Sequence, residues 1–295
     1  MTGAATGPRP PEVPGRQLCV ALAQMCSTTT HAGNIAATRD LVAASGEAQL
    51  VALPEVSGLM NRDAAGLKAA VSTPDQDPFI AACRELAREH GKWIHIGSTP
   101  VTGRDRLRNH SALIDPEGRI AAEYDKIHLF DAWLDGKRPI GESKRFEPGD
   151  MAVLIDTPWG GWGMSICYDL RYPRLYRQYG LRSATVIFVP SAFTVPTGKA
   201  HWEVLLRARA IETGAWVIAA AQAGHHDDGR HTHGHSMIVN PWGQVTLVFD
   251  ATSTGVRLAW LDLDQCDAAR ARIPALQNER EFGFQHVTGP AGTRD

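Results

Sequence analysis

The chain has 295 residues, 43% of them hydrophobic and 21% charged, with a formal net charge of −2. That length supports a large core, and the near-neutral charge, with no Lys/Arg block, argues against nucleic acid as a partner. No apolar run approaches the ~20 residues of a membrane span, so no membrane partner is expected either. In chain order, residues 1–16 (MTGAATGPRPPEVPGR) are rich in Pro and Gly, lack the apolar stretch of a secretory signal, and read as a disordered tail. QLVALPE is a buried-strand run ending in Pro and Glu55. DPFIAACRELAREHGKWIHIGS reads as a helix stopped at Gly91, followed by a buried strand opening with Trp93. NHSALIDPEGRIAAEYD (Asn109–Asp125) reads as two alternating strands around a DPEG turn.

The second half repeats this order. WGMSI is a strand run ending at Cys167, and Pro173 marks a helix start. TVIFVPS parallels QLVALPE, and HWEVLLRARAIETGAWVIAAA gives a helix stopped at Gly214 and a strand opening with Trp216. GHSMIVNPWGQVTLVFD (Gly234–Asp250) then aligns without gaps to Asn109–Asp125, 125 positions on. His110, Ser111, Pro116, Gly118 and Asp125 match His235, Ser236, Pro241, Gly243 and Asp250. A strand in GVRLAWLDLD and a helix in DQCDAARARI close the pattern before Pro274. Two copies of strand–helix–strand–hairpin imply an α/β fold of two sheets related by a pseudo-twofold, each covered by helices.

Three polar residues end segments of this repeat: Glu55 in VALPEVSG, Lys126 in EYDKIHLF and Cys167 in GMSICYDLRYP. Sites of open α/β sheets lie beyond the carboxyl ends of strands, so the three are expected in one crevice. A thiol can attack a carbonyl or nitrile carbon, a carboxylate can take its proton, and an ammonium can stabilise the oxyanion. A strand-to-helix bend at Cys167 exposes the nucleophile. Cys19, Cys26, Cys83 and Cys266 read as small buried hydrophobes. Five scattered cysteines without a CxxC pair indicate free thiols in a reducing cytoplasm.

In this order, over about Gln17 to Gln285, these segments resemble the nitrilase superfamily of carbon–nitrogen hydrolases. The resemblance implies a four-layer α–β–β–α sandwich and a Glu55–Lys126–Cys167 catalytic set. It implies that the Tyr168 amide completes the oxyanion hole with Lys126. It also implies that Glu142, in PIGESKRFEPGD, orients the lysine or the substrate amide, whereas Glu147 reads as a plain loop acid. The domain is expected over 17–285, with 286–295 as a C-terminal tail.

Arg171, in CYDLR, either clamps a substrate carboxylate bidentately or pairs with Asp169 to hold the bend. Relatives commonly carry an acidic residue after the Pro, where this chain has Arg174. SAFTVPTGKAHWEVLLRARAIE resembles the segment bordering the acyl pocket in the superfamily's small-acid amidases, which implies that Phe193 and Thr194 line it, whereas Trp202, Leu205 and Leu206, at helical spacing, read as core. The stretch HHDDGRHTHGHS (His225–Ser236) has the histidine density of a zinc site but reads as a solvated loop. Neither metal nor cofactor is implied.

The resulting expectation is an amidase of non-peptide linear amides that works through a cysteine thioester. Its substrate resembles deaminated glutathione or α-ketoglutaramate, and it assembles as a homodimer or higher homo-oligomer. The alternatives are a nitrilase, an N-carbamoyl-amide hydrolase, or a catalytically silent binding protein.

Overall fold

The computed structural model describes residues 16–133 and 139–287; the expected N-terminal tail, apart from Arg16, and residues 288–295 lie outside the described residues. The first half contains β1 (Gln17–Met25), α1 (His31–Ala43), β2 (Leu50–Ala52), α2 (Ala64–Ala70), α3 (Pro78–His90), β3 (Trp93–His95), β4 (Thr99–Thr102), β5 (Leu107–Ile114) and β6 (Ile120–Asp125). A small hairpin, β7 (Asp131–Trp133) and β8 (Pro139–Gly141), follows. The second half contains β9 (Leu154–Thr157), β10 (Gly160–Gly163), α4 (Pro173–Leu181), β11 (Ala184–Phe188), α5 (Val195–Thr213), β12 (Trp216–Ala219), β13 (Ala221–His225), β14 (His231–His233), β15 (Met237–Val239), β16 (Val245–Val248), β17 (Gly255–Asp262) and α6 (Asp264–Arg272).

One sheet carries the order β6-β5-β3-β2-β1-β17 and the other β16-β15-β12-β11-β10-β9. Position by position, the pairings have the same sense: the inner strands are parallel, and each edge and each hairpin is antiparallel. The hairpins share even their register. Leu113 pairs with Ala122 and Ile238 with Leu247, and both ladders slip at the next residue, Ile114 or Val239. The turns match too: Asp115 accepts the N–H groups of Glu117 and Arg119, as Asn240 does those of Trp242 and Gln244. The halves differ where β13 pairs with the end of β1 and stitches the second half onto the first sheet.

The layers follow from strand periodicity. Along β1, Leu18, Val20 and Leu22 join a core that continues through the second sheet to α4 and α5. Cys19, Ala21 and Ala23 face the other way and pack under α1 and α3 with Leu41, Phe79, Ile80 and Leu86. Each such Leu or Ile contributes ~1.5–3 kcal/mol by leaving water, so both faces of β1 are energetically committed. The result is the α–β–β–α sandwich expected. Trp202 and Leu206 are fully buried on α5 and Leu205 packs against them, as the helical spacing indicated.

Two sequence expectations fail here. Cys26 is exposed, because β1 ends at Met25 and the chain turns outward, with the thiol donating to the His225 carbonyl. The histidine-rich stretch is a β-hairpin and not a solvated loop. Ala223, Gly224 and His225 of β13 pair with His233, Thr232 and His231, and His226 and His233 are buried. Burial lowers the His233 pKa to about 4, with His235 and Lys199 adding to it. Among the described residues no group of His, Cys, Asp or Glu could hold a metal ion. No described helix is long and apolar enough to cross a membrane.

Candidate active site

The chain leaves β2 through Leu53 and Pro54 and turns sharply at Glu55. Val56, next to it, has φ 51°, a left-handed conformation that is costly for a β-branched residue. The turn is held by Val56 N–H donating to Ser98 Oγ and by Ser57 Oγ donating to the Ile96 carbonyl. Gly97 backs it: a Cβ there would meet the Pro54 carbonyl at 1.9 Å, so no side chain fits behind the turn.

Cys167 has φ 49° and opens the 3₁₀ turn Cys167–Arg171 before Pro173 starts α4. Its N–H donates to the Pro190 carbonyl at 2.9 Å. Asp169, fully buried, holds this bend. It accepts Ile166 N–H at 2.8 Å, Tyr124 Oη–H at 2.7 Å, His128 N–H at 3.0 Å, and contacts His128 Nδ1 at 2.7 Å. Tyr124 and His128 flank Lys126, so one carboxylate ties the nucleophile's turn to the lysine's. This overturns the Arg171–Asp169 pairing, since Asp169 is occupied by shorter-range partners. Arg171 instead donates to His201 Nδ1 at 3.2 Å and lies 5.8 Å from the Tyr168 and Phe193 ring centroids. Arg174 is exposed on α4.

Lys126, Glu55, Glu142 and Cys167 come together. Lys126 Nζ, 2% exposed, donates to Glu55 Oε1 at 2.9 Å and to Glu142 Oε2 and Oε1 at 2.9 and 3.1 Å. Burial alone would lower the lysine pKa, but Glu142 and Glu55 more than offset it and hold the ammonium well above the usual lysine range. Glu55 Oε2 accepts Ala192 N–H at 2.8 Å, and Glu142 Oε2 accepts Phe130 N–H at 2.6 Å. Burial, and then the Glu55 charge, push the Cys167 thiol well above its ordinary value against the pull of Lys126. Cys167 is therefore a thiol at rest, set beside Glu55, an arrangement suited to proton transfer from sulfur to carboxylate.

Phe193 is buried and tilted against Trp202, with ring centroids 4.9 Å apart. Thr194 precedes α5, and its hydroxyl meets Thr197 Oγ1 at 2.9 Å. The histidine hairpin braces this segment: His233 N–H donates to the Phe193 carbonyl and Thr194 bridges Thr232. Glu147 is not a plain loop acid, because its carboxylate gathers the N–H groups of Arg104, Asp105 and Arg106. Sequence reasoning missed Asn109, whose Nδ2 donates to Glu55 Oε1 at 3.0 Å, and Gln222, whose Nε2 donates to the Glu55 carbonyl at 2.9 Å.

Residues 19–271 match the family model described as carbon–nitrogen hydrolase. A Yersinia enterocolitica protein named deaminated glutathione amidase is 37% identical over 266 residues, 88% of this chain and 92% of that one. A Homo sapiens protein of the same name is 38% identical over 279 residues, 92% of this chain and 85% of that one. The solved C. elegans NitFhit protein shares 36% identity and superposes with a TM-score of 0.82 over 90% of this chain, which covers 65% of that longer chain. An amidase from Nesterenkonia sp. AN1, solved with acrylamide added at its active site cysteine, shares 25% identity, with a TM-score of 0.72 over 87% of this chain and 98% of that one. On these matches and this architecture, the chain belongs to the carbon–nitrogen hydrolase family.

Proposed function

We propose that the protein is an amidase that hydrolyses the C–N bond of a small, carboxylate-bearing amide through a thioester on Cys167. The observation that carries this reading is the buried Lys126 held between Glu55 and Glu142, with the Cys167 thiol against Glu55. Cys167 Sγ bonds to the amide carbon as its proton passes to Glu55. Lys126 Nζ and the Tyr168 N–H take the oxyanion. The C–N bond breaks as Glu55 returns the proton to the leaving nitrogen, releasing ammonia or an amine. Glu55 then draws a proton from water, the hydroxyl oxygen bonds to the thioester carbon, and the sulfur leaves with the proton from Glu55. Glu142 keeps the ammonium aimed at the oxyanion.

The relatives named deaminated glutathione amidase favour a substrate of that kind or an α-ketoglutaramate-like one. Arg171, with Phe193 beneath it, is the group we assign to a substrate carboxylate, and Thr194 borders the same pocket. The five free thiols suit a reducing compartment such as the cytoplasm. A homodimer is also part of the proposal, because the extended segment after α6 leaves Phe282 and Phe284 each 90% exposed. Deleting 273–295 is expected to weaken association seen by sedimentation.

The test is a panel of deaminated glutathione, α-ketoglutaramate, neutral amides, nitriles and N-carbamoyl compounds, with product acid measured by mass spectrometry. Acidic amides are expected to lead, and Arg171→Ala to raise KM for them selectively. Preferential turnover of nitriles or carbamoyl compounds would replace this reading, and equal KM effects on charged and neutral amides would remove Arg171 as the clamp. No turnover of any compound would favour the silent binding protein.

A further inference from the structure

We propose that Asn109 is a positioning residue of the catalytic centre, which lets two glutamates share Lys126 and keeps Glu55 ready to take the thiol proton; this rests on the amidase reading above. Asn109 is 3% exposed on β5, and its carbonyl accepts Lys126 N–H at 3.0 Å. Its Nδ2 lies 3.0 Å from Glu55 Oε1 and 3.4 Å from Glu142 Oε1. Lys126 Nζ lies 2.9 and 3.1 Å from the same two oxygens. Two donors and two acceptors thus alternate around a closed ring.

One ammonium faces two carboxylates, Glu55 buried and Glu142 half-buried, whose like charges repel, and a second donor between them offsets that repulsion. A neutral amide does this without adding a second cation that would compete with Lys126 for the oxyanion. With Oε1 held, Glu55 turns Oε2 to the Ala192 N–H, which also reaches the Cys167 sulfur.

Two observations mark the amide as placed for this contact and not for packing. Among the described residues its buried Oδ1 has no hydrogen-bond partner, so the side chain's bonds run from Nδ2 to the two glutamates alone. The matching position in the second hairpin is Gly234, with φ 70° and the Ala251 carbonyl 2.5 Å from where a Cβ would stand, so the hairpin itself does not require an amide.

The test uses Asn109→Asp, nearly isosteric, and Asn109→Ala, with thermal melts to establish folding. Iodoacetamide alkylation is followed on the Cys167 peptide by mass spectrometry across pH 5–9, beside kcat and KM for the best amide. Near pH 8, Asn109→Asp is expected to slow alkylation and kcat roughly 10²-fold, and Asn109→Ala roughly tenfold, with KM little changed, the scale of a hydrogen bond to a charged group. As pH falls, the introduced carboxyl gains a proton and can donate as the amide did, so the deficit of Asn109→Asp narrows while that of Asn109→Ala does not. A constant deficit of Asn109→Asp across pH, or a folded Asn109→Ala within twofold of the parent, would overturn the proposal; if Asn109→Asp does not fold, the alanine variant decides alone. A parent chain that turns over no amide would sink the amidase reading, while the alkylation profile would still test Asn109.

Discussion

The hairpins Asn109–Asp125 and Gly234–Asp250 share strand pairing, ladder slip and turn, yet it is the first that leads into the proposed catalytic lysine. In the first, Asp125 meets His110 Nδ1 at 2.8 Å and Arg108 Nη1 at 2.7 Å, and the chain continues into Lys126. In the second, Asp250 turns back to gather the N–H groups of Thr252 and Ser253, which depress its pKa, and the chain continues into exposed Ala251. The sheet registers extend the comparison. Glu55 corresponds to Ser191 and Cys167 to Met25, since Leu50 and Val186 occupy equivalent places, as do Val20 and Trp162. A duplicated frame thus supplies two sets of strand ends, and the carboxylate, ammonium and thiol side chains stand on one of them.

The largest expected effect comes from making the two hairpins alike. Lys126→Ala installs the residue found at 251 and leaves the buried Glu55 and the half-buried Glu142 without their cation. We expect kcat to fall roughly 10³-fold, as for loss of an oxyanion donor, with stability lower by about 3–5 kcal/mol by urea unfolding. Ala251→Lys, on the exposed counterpart, should change neither. Activity retained in Lys126→Ala would erase the functional asymmetry between the halves.

Next is Glu142→Gln. It keeps the shape and the Phe130 N–H acceptor but removes a charge from Lys126, and kcat should fall ~10²-fold with little change in Tm. Unaltered kcat would make Glu142 a structural partner of Lys126. Asp169→Asn should act on both measurements: its carboxylate ties the Lys126 and Cys167 segments, a link made in the other half by a neutral side chain, Gln24, whose Nε2 donates to the Asp250 and Ser253 carbonyls. A loss of about 2 kcal/mol and a roughly tenfold drop in kcat are expected, and unchanged melting would contradict that role.

The effect that vanishes at neutral pH concerns His95, whose counterpart in the second sheet is Ile218. Its ring stacks on Phe188 at 4.2 Å, and burial lowers its pKa to about 3. The unfolded chain takes a proton near pH 6.5 and the folded chain does not. Its contribution is therefore complete above about pH 6.5 and is lost as pH falls toward 3, by up to about 1.4 kcal/mol per pH unit. His95→Ile should flatten the acid limb of urea-derived stability, and an unchanged slope would assign that limb to other groups.

Much of the frame was legible because it is periodic and repeated: the Gly91 and Gly214 helix stops, the Trp93 and Trp216 strand starts, and both hairpin turns stand where the residues placed them. The meeting of Glu55, Lys126 and Cys167 was legible because each ends a strand segment on the same side of its sheet. Partnerships between distant residues carried no spacing signal. Asn109 reaches a glutamate 54 residues away, Asp169 reaches Tyr124 and His128, and Arg171 reaches His201. Nor could density of histidine distinguish a loop from a hairpin, or the residue type of Cys26 reveal that the strand stops one residue earlier. The change from Asn109 to Gly234, directly before the matched His-Ser pair of the repeat, was the available clue to the residue we propose as positioning Glu55.

The central claim is that Cys167 alone carries the acyl group, and acid quenching of the enzyme during turnover, followed by peptide mass spectrometry, tests it most directly. Cys26 makes the test stringent, because it is the exposed thiol while Cys167 is buried. The account predicts an acid-stable thioester mass on the Cys167 peptide, none on the peptides of Cys19, Cys26, Cys83 or Cys266, and no turnover in Cys167→Ala. An acyl mass on Cys26, or turnover retained in Cys167→Ala, would contradict it.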